Sequence, residues 1–179
     1  MKIDNRQPRF IVLESDKDPY LTLNGKLYYA YNVSQGVIIP DVNRDRVIFA
    51  SCFKSEIEFY DSGLNPILKI SGPDKLTPSY RFNTNSDIIF NKTVPYSYMG
   101  YCIDEDSIYL SYVGDYFTED KPLRDFDSWI IEINWNGDIG KIYHSPEYIK
   151  TISKSVDKDV FYGRGFNEEG IILWKLSKK

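Results

Sequence analysis

Apolar residues in this chain come in short runs that alternate with polar ones and stop at Asp, Asn, Gly or Pro. Val47-Ile48-Phe49-Ala50, Ile57-Glu58-Phe59-Tyr60, Ile108-Tyr109-Leu110-Ser111-Tyr112 and Ile130-Ile131-Glu132-Ile133-Asn134-Trp135 are the clearest. Successive side chains of a strand point to opposite faces, so period-two patterning with turn residues between the runs specifies strands. Composition agrees. Aromatic residues make up 16% of the chain, with 15 Tyr, while alanine is confined to Ala30 and Ala50. Strands favour Tyr, Phe, Val and Ile, and helices favour Ala. No window shows sustained helical periodicity, and a turn of helix around Pro146–Ile149 is the best candidate. The expected class is all-β.

Spacing narrows the architecture. An Asp-rich turn followed by an apolar strand occurs at Ile38–Phe49, Gly100–Leu110 and Thr151–Tyr162. The first two are followed by a second hairpin, Ile57–Ile70 around Ser62-Gly63-Leu64-Asn65 and Ile130–Tyr143 around Asn136-Gly137-Asp138. Four antiparallel strands, recurring here about every 50 to 60 residues, are the pattern of a β-propeller blade. Asp and Asn bond their own backbone in such turns, and Asn136-Gly137 is expected to supply the positive φ angles of a two-residue hairpin. One domain over residues 1–179 is expected, of about four blades, with blade-like units at about 36–71, 98–144 and 149–176. A β-sandwich is the alternative. Alternation places Val47, Phe49, Ile57, Phe59, Ile108, Leu110, Ile131, Ile133, Trp135, Val160, Ile172 and Trp174 in the core.

The stretch Asp104–Gly114 followed by Trp129–Gly137, WIIEINWNG, resembles the TolB-like six-bladed β-propeller proteins of bacterial envelopes. Ile108-Tyr109-Leu110-Ser111-Tyr112 matches their "IY-x-LY" strand, Ile131–Gly137 their "I-x-V-F-D-W-x-G" hairpin, and Ser155–Tyr162 their "VDE…LYA" segment. The resemblance covers residues 36–176. It implies a ring of blades, this chain carrying about four, and a periplasmic or cell-envelope location if a signal precedes Met1. It carries no catalytic signature.

Several function classes are excluded on chemistry. Lys and Arg number 22 against 26 Asp and Glu, a net charge of −4 with no basic run, so no nucleic-acid partner is expected. No apolar stretch approaches the length of a transmembrane helix, and MKIDNRQPRF contains no apolar h-region, so the chain is expected to be soluble as written. Cys52 and Cys102 are the only cysteines and His144 the only histidine, which rules out zinc clusters and a disulfide framework. Neither a Gly-rich phosphate loop nor a G-x-S-x-G elbow occurs, and no cofactor is expected.

The candidate site lies in loops. Asp115–Asp127 is too long and too charged for an ordinary hairpin connection. Its Tyr116, Phe117, Lys121, Arg124 and Phe126 offer an aromatic and charged surface, and Tyr80 and Arg81 in the irregular Gly72–Asn91 stretch are expected on the same face. Asp41/Asp45, Asp104-Glu105-Asp106 and Asp157/Asp159 have the oxygen chemistry of a calcium site, but EF-hand spacing is absent, so they are expected to form turns without a metal. His144 is expected as a rim histidine, and the two cysteines as small buried hydrophobes. The functional expectation is a non-enzymatic propeller module that binds a protein, peptide or glycan through blade-end loops. The alternative is a carbohydrate hydrolase or lyase with Asp104, Asp106 or Asp127 converging on the axis. Self-association through open blade edges is expected, unless strand Arg9–Glu14 fills the last edge.

Overall fold

The computed structural model describes residues 20–23, 26–29, 35–41, 43–82, 88–91, 93–156, 160–167 and 169–177. The chain divides into two units, Met1–Ala30 and Tyr31–Lys179. In the first, β1 (Tyr20–Leu23) and β2 (Lys26–Tyr29) pair antiparallel. The expected strand Arg9–Glu14 lies outside the described residues.

The second unit is built from antiparallel sheets. β3 (Gly36–Asp41), β4 (Arg46–Ser51), β5 (Glu56–Asp61) and β6 (Pro66–Ser71) form a four-stranded meander. A ribbon of β7 (Tyr80–Phe82) and β8 (Ile88–Phe90) follows. β9 (Val94–Ile103), β10 (Ser107–Phe117), β11 (Ser128–Asn134) and β12 (Ile139–Ser145) form a second four-stranded meander. β13 (Ile149–Lys154), β14 (Val160–Asn167) and β15 (Gly170–Ser177) make a three-stranded third. The protein is all-β. Among the described residues no helix is long and apolar enough to cross a membrane.

Alternation along β10 explains how the sheets stack. Ile108, Leu110 and Tyr112 share a core with Ile39, Ile48, Ile57 and Phe59 of the first sheet. Tyr109, one residue out of step, packs instead with Ile149, Ile152 and Phe161 of the third. The middle sheet is therefore covered on both faces, and β10 is buried without a break from Ile108 to Val113. A fully buried Leu or Ile contributes roughly 1.5–3 kcal/mol, so this doubly covered strand concentrates the apolar stabilisation. The opening strands of the three sheets, β3, β9 and β13, lie side by side. At Gly100 any Cβ would strike the Lys150 carbonyl, so glycine is what lets β9 approach β13.

Two expected core positions on β4 are displaced. Ile48 and Ala50 are fully buried, whereas Val47 and Phe49 are only half-buried on the opposite face. Four consecutive apolar residues carry no alternation, so the parity of β4 is set by its neighbours: Ile48 pairs with Ile39 and Phe59, and Ala50 with Val37 and Ile57. Val160 is likewise half-buried while Phe161 is buried against Tyr109, with ring centroids 5.1 Å apart. Ile172 and Trp174 occupy the inner face of β15, but only half-buried, because that strand is an edge. No helix forms at Pro146–Ile149: the Ser128 hydroxyl accepts the Ile149 N–H at 2.8 Å and starts β13 there.

The two meanders carry matching turns. Between β5 and β6 the Leu64 N–H donates to the Asp61 carbonyl and the Asp61 N–H to the Asn65 carbonyl. Between β11 and β12 the same pair of bonds runs from Gly137 to Asn134 and from Asn134 to Asp138. The side chains repeat the pattern with amide and carboxylate exchanged. Asp61 Oδ1 accepts the Asn65 N–H at 2.8 Å, and Asn134 Oδ1 accepts the Asp138 N–H at 2.9 Å. The Asn136-Gly137 turn is thus one residue longer than the expected two-residue hairpin, and only Gly137 has a positive φ, 88°. Leu64 fills the equivalent position with φ 63°.

A left-handed conformation costs a residue with a Cβ ~1–2 kcal/mol. Leu64→Gly is therefore expected to raise stability by up to about 1 kcal/mol, and Gly137→Ala to lower it, both read from urea midpoints. A loss of stability on Leu64→Gly would show that the leucine side chain outweighs the strain.

Candidate functional site

The charged loop is an ordered extension of the middle sheet. β10 and β9 stay paired to Phe117 and Val94, past a bulge at Gly114 with φ 73°. Thr118 bridges to Lys121, and a single 3-10 turn over Leu123–Asp125 returns the chain to β11. Phe126 then locks the loop down. It is 1% exposed and packs with Val113 and Tyr148, with Tyr96, Phe117, Leu123 and Phe166 around them. Its ring centroid lies 6.4 Å from Tyr96 and 6.5 Å from Phe117.

What the anchored loop leaves accessible is polar. A shallow cleft of roughly 330 Å³ is lined by Val113, Gly114, Asp115, Lys121, Asp125, Phe126, Asp127 and Trp129. The Lys121 ammonium sits 4.2 Å from the centre of the Phe126 ring and donates to Asp115. Trp129 opens β11 at the cleft and is 40% exposed. His144 stands directly across on β12, with ring centroids 4.5 Å apart, and its Nε2 lies 2.8 Å from Asp127 Oδ2. Carboxylates, one ammonium and an accessible indole make a surface that accepts hydrogen bonds beside an apolar plane.

The structure brings Tyr116, Phe117, Lys121 and Phe126 together, but in different roles. Phe126 is a core anchor, Phe117 is half-buried beside it, and Tyr116 reaches the 72–79 segment, where the Thr77 N–H lies 3.5 Å from its hydroxyl. Arg124 projects from the 3-10 turn with its Nε 3.7 Å from Asp125. Tyr80 and Arg81 stand on the β7–β8 ribbon, which is pinned by Phe90 against Phe53 with centroids 4.8 Å apart. The 72–79 segment is tied to the same end of the middle sheet, where Tyr112 donates to Asp74 at 2.8 Å. Sequence reasoning overlooked Trp129, Asp115 and Asp125 as site residues. No pattern in the sequence marks them: a bulge between Ile131 and Ile133 shifts the β11–β12 register by one residue, and only that shift faces Trp129 with His144.

The Asp turns gather at the opposite end of the sheets. Asp41 Oδ1 accepts the Asn43 and Arg44 N–H groups at 2.9 and 3.2 Å, and Asp104 Oδ1 accepts the Ser107 N–H at 3.0 Å. Their other oxygens receive cations. Arg44 pairs with Asp41 and reaches the middle sheet through Asp106, each at 3.0 Å. Lys154 of β13 donates to Asp104 and, at 2.8 Å, to Tyr109. These contacts tie the first sheet to the second and the second to the third. Asp157 and Asp159 lie outside the described residues.

Electrostatics follows from these partners. Burial pushes the Asp41, Asp104 and Asp115 carboxyls up, but it is outweighed: Arg44, Lys154 and Lys121 respectively, with backbone N–H groups, hold all three below the usual 3.8. Burial also raises both thiols, Cys102 to about 11, so neither is poised as a nucleophile. No protein-family model matches the sequence, and no curated protein matches it.

A carboxyl whose pKa is lower folded than unfolded contributes stability that is complete above its unfolded value and lost as pH falls through the folded one. Stability is therefore expected to drop as pH falls below 3.8. Asp104→Asn should lower the urea midpoint at about pH 7 and flatten its decline toward about pH 3. An unchanged acid limb in that variant would contradict the pairing with Lys154.

Proposed function

We propose that this chain is a non-enzymatic binding module of propeller-type blades, as the TolB-like resemblance implies. It takes a peptide or glycan in the cleft between the Asp115–Asp127 loop and Trp129. The observation that carries the reading is the burial of Phe126. It converts a long charged loop into a rigid support, and rigidly held groups bind without a large ordering cost. Ligand N–H or O–H groups donate to Asp115, Asp125 and Asp127, while an apolar ligand face lies on the exposed Trp129 indole.

The side-by-side opening strands β3, β9 and β13, and the repeated turns of the two meanders, support the blade reading. Convergence of Asp104 or Asp106 with Asp127, as the hydrolase alternative expects, is disfavoured by distance. Asp104 and Asp106 precede the start of β10, whereas Asp127 lies beyond Tyr112, which pairs with Trp129. Five strand residues separate those ends by ~17 Å, well outside the roughly 5–9.5 Å between paired glycosidase carboxylates. The displaced carboxyls among the described residues all move downward, away from the raised pKa of a general acid.

The test is a screen of the purified chain on peptide and glycan arrays, followed by calorimetric titration of the ligands retained. Trp129→Ala is expected to weaken binding about tenfold or more, equivalent to ~1.4 kcal/mol, without lowering the thermal midpoint. Ligands that bind Trp129→Ala as tightly as the parent would place the site elsewhere. Cleavage of a retained glycan would instead favour the hydrolase.

A further inference from the structure

We infer that a second copy of this chain docks on it head to tail, the outer face of the third sheet of one copy meeting the outer face of the first sheet of the other. Each sheet buries its inner face against the middle one, and the residues out of step with that core point the other way. On the third sheet these are Tyr162, Arg164, Ile171, Leu173 and Lys175, with Arg164 paired to Leu173 and Tyr162 to Lys175. Leu173 is 79% and Ile171 61% exposed. The strands β13, β14 and β15 contain no carboxylate at all. This face is an apolar centre flanked on its strands by Arg164 and Lys175, with the exposed Glu169 confined to the β14–β15 turn at one end.

The outer face of the first sheet has the opposite sign. Ile38, 63% exposed, pairs with Phe49, which pairs with Glu58. Glu56 and Glu58 share Lys69 at 2.8 and 3.2 Å, so two carboxylates face one ammonium and a net negative charge remains. Exposed Ile, Leu and Tyr in one patch mark an interaction surface. Complementary charge selects which two patches meet and in which order. Within the molecule the same stacking already occurs twice, on the two faces of the middle sheet. Because the two faces differ, the contact is heterologous: two copies close on each other if the rotation permits, and a longer array forms if it does not.

Sedimentation velocity of the full chain over a range of concentrations tests this. The parent is expected to associate, with weight-average mass rising with concentration. Leu173→Glu should weaken association about tenfold or more while leaving the thermal midpoint unchanged, since Leu173 is exposed. Arg164→Glu and Glu58→Arg should each weaken it alone, and an equimolar mixture of the two should recover association as alternating assemblies, because each contact between unlike variants, unlike those within one variant, again joins opposite charges. A parent that stays monomeric throughout would overturn the proposal and leave these faces to a different partner or to other chain segments. Association insensitive to Leu173→Glu, or a mixture that fails to recover, would overturn it as well.

Discussion

Burial of β10 on both faces is the constraint on which the rest of the second unit depends. A strand covered on one side alternates apolar and polar residues, but Ile108–Val113 holds Ile, Tyr, Leu, Ser, Tyr and Val with none of them exposed. The even-numbered side chains belong to the core shared with the first sheet, and Tyr109 belongs to that of the third. The one polar member, Ser111, donates to the Ile149 carbonyl, so its burial is compensated by a bond that fixes β13. Three sheets are thereby placed in register by the side chains of one strand.

The two ends of this stack do different work. At one end the carboxylates of the Asp turns are taken up by backbone amides and by Arg44 and Lys154, cations reaching across from neighbouring sheets. Such groups hold the structure, and beside them a cleft of roughly 390 Å³ opens between Arg44, Arg46, Asp106 and Asn136. At the other end the connections are long, and the sheet continues into them through the paired stretch to Phe117. There Phe117 and Phe126 pack inward, leaving Trp129, His144 and Asp127 accessible on a firm base.

Much of this was legible from patterning alone, for reasons that can be stated residue by residue. Ile57, Phe59, Ile108, Leu110, Ile131 and Ile133 alternate with polar or opposite-facing residues, and all six are buried as the alternation demands. Val47–Ala50 has no polar residue to break the symmetry, so its parity waited on the partners across the sheet. Phe126 looked like a surface aromatic because its neighbours Arg124, Asp125 and Asp127 are charged. Only tertiary contact with Val113 and Tyr148 shows it to be the anchor. The length of β10 was hidden similarly, since Gly114 and Asp115 read as a strand end but form a bulge within it.

Backbone amide hydrogen exchange tests the central claim, that β10 is the innermost strand of a doubly covered sheet. Amides opened only by global unfolding exchange slowest. The N–H groups of residues 108–112 are expected to be the most protected in residues 31–179, with β6, β12 and β15 exchanging sooner from their edge positions. Exchange in β10 as fast as in β15 would contradict a core organised around the middle sheet.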